Sequence, residues 1–233
     1  MKKIEYSGFV GFSFQLAEFY DRLKNNNNRD WFAENKNLYE KYVKEPSYSL
    51  ISTMSERCAS LEIPFISDPK ASFFRIYRDI RFSPNKEPYK TNLGIYFPYS
   101  LTSNKEKVPE TMGLYFHYEA GSTFIAAGMY APPSNMLAAF RNKIDHDWQT
   151  LEKILNDKTL KKEFPSGLTG DALKRVPRGF PADHPKEDWL RLKQFNLFCY
   201  IKFEDCCKPE FAGILERKAV TIAPFLEYFY NAL

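Results

Sequence analysis

The stretch RIYRDIRFSPNKEPYK, residues 75 to 90, sets Arg75, Arg78, Arg81, Lys86 and Lys90 among tyrosines and prolines, with Asp79 and Glu87 as its only anions. Arginine donates in pairs from a planar fork that matches phosphate or carboxylate, and lysine adds a point charge. The chemistry these residues suit is the gripping of an anion. From Lys70 to Lys90 six cations face two anions, and this excess equals the +4 net charge of the whole chain. Charge concentrated in this way argues for local anion binding over general solubility. The bland alternative is a surface ladder in which Arg75 and Arg81 pair with Asp79 around Tyr77, each pair worth roughly 0–1 kcal/mol.

A second basic motif, LKRVPRGFPADHP at 173–185, carries Lys174, Arg175 and Arg178. Its prolines at 177, 181 and 185 stiffen the loop, and Gly179 offers a bend. From Ala172 to Gln194 six cations face three anions. The functional reading brings this loop beside the first cluster to form one positive pocket. The structural reading is a rigid, capped connection whose cations are solvated.

Acid–base candidates are thinner. His117 and Glu119 share one face of an expected strand with Tyr115, and a metal there would need a further ligand, Asp79 or Asp183 being possible. His184 beside Asp183 is a candidate general base. His146, between Asp145 and Asp147, reads as solvated surface. There is no GxSxG elbow, HExxH pair or GxxxxGK[ST] loop, so no reaction is named, no resident metal is predicted and no cofactor is called for.

The elements that must position these residues follow from periodicity. Phe12, Leu16, Phe19, Tyr20 and Leu23 recur at helical spacing after Ser13, and Asn27 or Asn28 is placed to cap a second helix carrying Trp31, Phe32 and Tyr39. A third helix is expected from Pro46 to about Leu61. Residues 73–82 alternate as a strand, which puts Phe74, Ile76, Ile80 and Phe82 on one face with Arg78 as the misfit among them. A buried guanidinium needs a carboxylate or an anionic ligand. Further strands are expected at 92–99, 113–120, 123–131 and 195–203. Helices are expected at 134–144, with Ser134 as cap, at 148–157, after Pro185 and after Pro209. The fold class is α+β, a mainly antiparallel sheet of about five strands packed with helices, in a single domain over 1–233.

Composition sets the outer bounds. Hydrophobic residues make up 44% of the 233 and aromatics 17%, enough for a substantial core. No run approaches the roughly 20 apolar residues of a membrane helix, and the start MKKIEYSGFV lacks a secretory h-region. Cys58, Cys199, Cys206 and Cys207 show no CxxC spacing, which makes a reducing cytoplasm the expected compartment.

Four segments taken together resemble a family of uncharacterised proteins, domain of unknown function 2461. They are FYDRLKNNNNRDWFAENKNLYE (19–40), RIYRDIRFSPNKEPYKTNLGIYF (75–97), AAGMYAPPSNMLAAFRNKI (126–144) and LKRVPRGFPADHP (173–185). The resemblance spans nearly the whole chain. It implies a single-domain, soluble protein and brings no catalytic residues with it.

The leading expectation is a protein that binds a phosphate-bearing or other anionic ligand, with nucleotide or single-stranded nucleic acid favoured because Phe74, Tyr77, Tyr89 and Trp189 could stack on bases. An enzyme acting on a phosphorylated substrate comes second. An interaction module for an acidic protein partner comes third.

Overall fold

The computed structural model describes residues 8–101 and 112–233. The alternating segments of the middle of the chain form a four-stranded antiparallel sheet in sequential order: β1 (Leu93–Pro98), β2 (Met112–Glu119), β3 (Ser122–Met129) and β4 (Phe195–Tyr200). Gly121, at φ +81°, makes the tight turn between β2 and β3, a backbone region that glycine enters without a Cβ penalty. The register pairs Tyr96 with Tyr115, His117 with Phe124, and Phe124 with Tyr200.

Around the sheet run α1 (Phe14–Asn25), α2 (Arg29–Glu34), α3 (Lys36–Tyr39), α4 (Glu45–Ser60) and α5 (Pro69–Ser72). After β3 come α6 (Ser134–Leu155), α7 (Lys158–Glu163) and α8 (Glu187–Arg191), and after β4 come α9 (Phe203–Cys206) and α10 (Phe211–Tyr230). The Asn28 side chain accepts the Trp31 N–H and caps α2, as its position implies. Ser13 sits at the cap of α1 but makes no side-chain cap bond. The two helices expected after residue 133 are one element broken at Asp147, where φ −144° departs from helix. The Tyr228 hydroxyl lies 3.1 Å from the Lys143 carbonyl and 3.0 Å from that of Asp147, beside the break.

One face of the sheet is dry. Leu93, Ile95 and Phe97 of β1, Leu114, Phe116 and Tyr118 of β2, Ile125 and Ala127 of β3, and Phe195 and Leu197 of β4 are buried there. Phe12, next to α1, stacks on Phe116 at 5.8 Å, Phe211 of α10 meets it edge-on at 4.9 Å, and Phe140 of α6 packs on Phe195 at 6.1 Å. Aromatic pairs of this geometry add about 0.5–1.5 kcal/mol beyond the area they bury. Among the described residues, no helix layer comparable to this one covers the opposite face, and the site lies there.

The strand expected over 73–82 does not form. Of this segment, Phe73 and Phe74 meet the free edge of β1, through a bridge from Phe73 to Ile95 and a 3.1 Å bond from the Phe74 N–H to the Gly94 carbonyl. It then leaves the sheet and folds back on itself, with Tyr77 opposite Tyr89 and the Arg78 and Lys90 amides bonded to Pro88 and Ile76. With no regular strand, the alternation does not sort the apolar residues. Ile76 is buried, Phe74 is 42% exposed and Phe82 is 93% exposed.

Candidate functional site

Most charges of the first basic motif are satisfied locally. Arg81 clasps Asp79 through two bonds of 3.0 and 2.7 Å, which holds that exposed carboxyl down at about 2. Arg78 meets Glu87 at 3.3 Å, so the misfit guanidinium has its carboxylate without a buried strand. Lys86 donates to the Ile80 carbonyl at 3.0 Å. Tyr77 is half exposed and leans on Phe32 and Tyr89.

Lys90 and Arg75 differ. Lys90 is partly buried, its ammonium 5.5 Å from the centre of the Phe74 ring. Burial first, and then the charge of Arg75, push its pKa down, with no carboxylate acting in the opposite sense. Arg75 is exposed and feels Asp79, whose carboxylate is already occupied by Arg81. Two neighbouring cations therefore share one spot without, among the described residues, an anion of their own.

The second basic motif lies elsewhere. The chain preceding it is anchored on the outer edge of β4, where Thr169 bridges Asn196, and the Leu173 N–H then bonds the Arg191 carbonyl at the end of α8. The first motif is anchored outside β1, so the full width of the sheet separates the two anchors, about 24 Å at roughly 4.8 Å per strand spacing. Lys174, Arg175 and Arg178 are exposed. The single pocket expected from both motifs is not assembled by this topology.

His184 is not paired with Asp183, which is exposed. Its Nδ1 accepts the Lys186 N–H at 3.0 Å and its Nε2 lies 3.7 Å from Asp145, so it fixes the entry to α8 against α6. Lys186 reinforces that junction by binding Glu152 and lying over Trp148 and Trp189. Trp189 is thereby engaged within the fold. His146, 80% exposed in its side chain, is the solvated residue its flanking aspartates implied.

Tyr115, His117 and Glu119 do share one face, as alternation along β2 requires. The Tyr115 hydroxyl lies 3.0 Å from His117 Nδ1, and His117 Nε2 lies 3.7 Å from Glu119. Burial lowers the His117 pKa against the opposing pull of Glu119, and burial pushes the Tyr115 phenol up to about 12. Among the described residues no three His, Cys, Asp or Glu side chains gather to hold a metal ion.

These three residues belong to a feature that single residues did not announce. Rings cross the open face from edge to edge. Phe74 lies 6.2 Å from Tyr96 and 5.8 Å from Tyr115, His117 stacks on Phe124 at 4.6 Å, and Phe124 meets Phe198 at 5.6 Å and Tyr200 at 5.9 Å. Between the rings the floor is made of small residues, Gly113, Ala126 and Gly128. A Cβ on Gly113 would fall 2.3 Å from the Phe97 carbonyl, and one on Gly128 2.0 Å from that of Phe195. The result is a cavity of about 640 Å³ whose wall includes Phe74, Tyr115, Phe124, Tyr130, Asn196 and Phe198. That volume lies within the range of small-molecule sites, roughly 300–1,000 Å³. The signal in the sequence was that β3 carries Phe124, Ala126 and Gly128 on the face opposite Ile125 and Ala127, so it is apolar on both faces, which a half-solvated strand is not.

An α+β protein with one helix-covered sheet face and one open aromatic face is the class these features define. The chain belongs to the family of conserved hypothetical proteins DUF2461, whose model matches residues 15–228. No curated protein and no solved structure shows significant similarity to it.

Proposed function

We propose that the aromatic groove binds a small ligand that combines a planar ring with an anionic group, a nucleotide being the favoured form, with Lys90 and Arg75 receiving the anion. The observation that carries this reading is Lys90, a partly buried ammonium that rests on Phe74, a wall of the groove, with a second cation beside it and, among the described residues, no carboxylate to neutralise it. A buried charge without a partner is costly, and an anionic ligand removes the cost. The rings of Phe74, Phe124 and Phe198 provide faces on which a base stacks, worth about 1–3 kcal/mol per base.

The test is calorimetric titration with adenosine monophosphate at low salt. Lys90→Ala is expected to weaken binding by tenfold to a hundredfold, since a hydrogen bond to a charged group is worth about 1.5–3 kcal/mol. Unchanged affinity in that variant, or no binding by the wild type, rejects the reading. A single-stranded oligonucleotide that binds far more tightly than the mononucleotide, with log K falling linearly against log salt, would extend the ligand to a strand lying across the sheet. Four free cysteines support a reducing compartment, and cytoplasmic placement forms part of the same proposal. Among the described residues no helix is long and apolar enough to cross a membrane.

A second reading, an enzyme for a phosphorylated substrate, is favoured by the chain of contacts Tyr115–His117–Glu119, which starts at Tyr115 on the groove wall and runs along β2 away from it. A neutral imidazole between a phenol and a carboxylate can pass a proton along that line. Its test is turnover of phosphate esters by the wild type against His117→Ala; equal turnover by both removes His117 from any chemical role.

A further inference from the structure

Asn196 stands at the end of the groove opposite the β1 cations. It lies on β4, is 94% buried by its relative exposure of 6%, and lines the cavity beside Phe198 and Tyr130. Its cross-strand partner is Gly128. Its carboxamide is poorly served by the protein. Nδ2 reaches only Gln194 Oε1 at 3.4 Å, beyond the usual range for such a bond, and no protein donor serves Oδ1 among the described residues. The backbone of Asn196 is fully engaged, bonded in both directions to Thr169, so the strand is fixed and the side chain alone is left over. Oδ1 is left open to the groove, where a bound donor can reach it, and most polar side-chain atoms of residues this buried in proteins do have a partner.

We infer that Asn196 is the specificity-determining residue of the groove and that it reads the edge of a nucleobase, its Nδ2 donating to a ring nitrogen while its Oδ1 accepts from the neighbouring exocyclic amino group. The inference rests on the nucleotide reading of the same site and adds to it a recognition group distinct from the anion-binding pair. An amide side chain offers one donor and one acceptor side by side, which is the pattern by which Asn pairs with the donor–acceptor edge of adenine. Phe124, Phe198 and Tyr130 line the groove beside Asn196 and hold the ring plane.

The experiment is a titration panel of adenosine, adenosine monophosphate, guanosine monophosphate and ribose 5-phosphate against wild type, Asn196→Leu and Asn196→Asp. Asn196→Leu is expected to bind adenosine monophosphate about tenfold more weakly or worse while leaving ribose 5-phosphate unchanged. Asn196→Asp, which offers acceptors only, is expected to move the preference toward guanine, whose edge presents two donors. This shift in preference separates recognition from a merely structural role and is read as a ratio within one folded variant. Equal binding of adenosine monophosphate and ribose 5-phosphate by the wild type overturns the inference and leaves the anion site standing. Binding of adenosine as tight as that of its monophosphate does the reverse. Asn196 variants that keep wild-type affinity and base preference, or a wild type that binds none of the four, overturn it outright.

Discussion

His117 shows how a single side chain on the open face couples to the solvent. Its Nδ1 faces the Tyr115 hydroxyl, its Nε2 faces Glu119, and its ring lies flat on Phe124. Burial under these rings outweighs the carboxylate and holds the pKa below the ordinary 6.5. In the unfolded chain the imidazole takes up its proton near 6.5 while the folded protein resists it, so the unfolded state binds more protons in that window. Stability contributed by neutral His117 is therefore present above 6.5 and declines as pH falls through that value toward the folded pKa. Thermal midpoints of wild type and His117→Gln at pH 7.5 and 5.5 check this. The wild type is expected to lose more on acidification, each kcal/mol reading as about 2–4 °C in a chain of this size. Parallel losses in the two proteins would show that His117 is not the group responsible.

At the scale of elements, the groove depends on β3 and β4 approaching without side chains between them. Gly128 adopts φ +135° and leaves only 2.0 Å between a Cβ position and the Phe195 carbonyl. Gly128→Ala is expected to cost roughly 1–3 kcal/mol from backbone strain alone, and more from the collision, because both obstacles are backbone. Urea unfolding measures it, and a midpoint equal to wild type would mean that β4 moves aside freely. The strands themselves were legible, since 92–99, 113–120, 123–131 and 195–203 each alternate within a few residues of their observed ends. Residues 73–82 alternate as well, yet only Phe73 and Phe74 meet β1, and the tyrosines beyond them pair within the motif's own ribbon. Alternation describes one strand, whereas pairing needs a neighbour that the sequence does not name. The groove was hidden for the same reason. Tyr96, Tyr115, Phe124 and Phe198 are separated by up to about 100 residues and become one surface only when the register of four strands is known.

For the molecule as a whole, the excess charge is divided between two edges. Both basic motifs were legible as charge, but their relation was not, because their separation is set by sheet order and not by sequence distance. The roughly 24 Å between the anchors of the two motifs exceeds two Debye lengths at physiological ionic strength, roughly 8 Å each, so charges beyond the β4 edge are screened from a phosphate held at Lys90. Replacing Lys174, Arg175 and Arg178 together by alanine is therefore expected to leave affinity for adenosine monophosphate within about twofold at 150 mM salt. All three are exposed, so the folded state should tolerate the change. The comparison with Lys90→Ala under the same conditions decides the matter, since each variant removes positive charge but only Lys90 is partly buried on a groove wall. A loss in the triple variant as large as that in Lys90→Ala would mean that both edges contribute to one site, and the assignment of the anion to the β1 edge would fall.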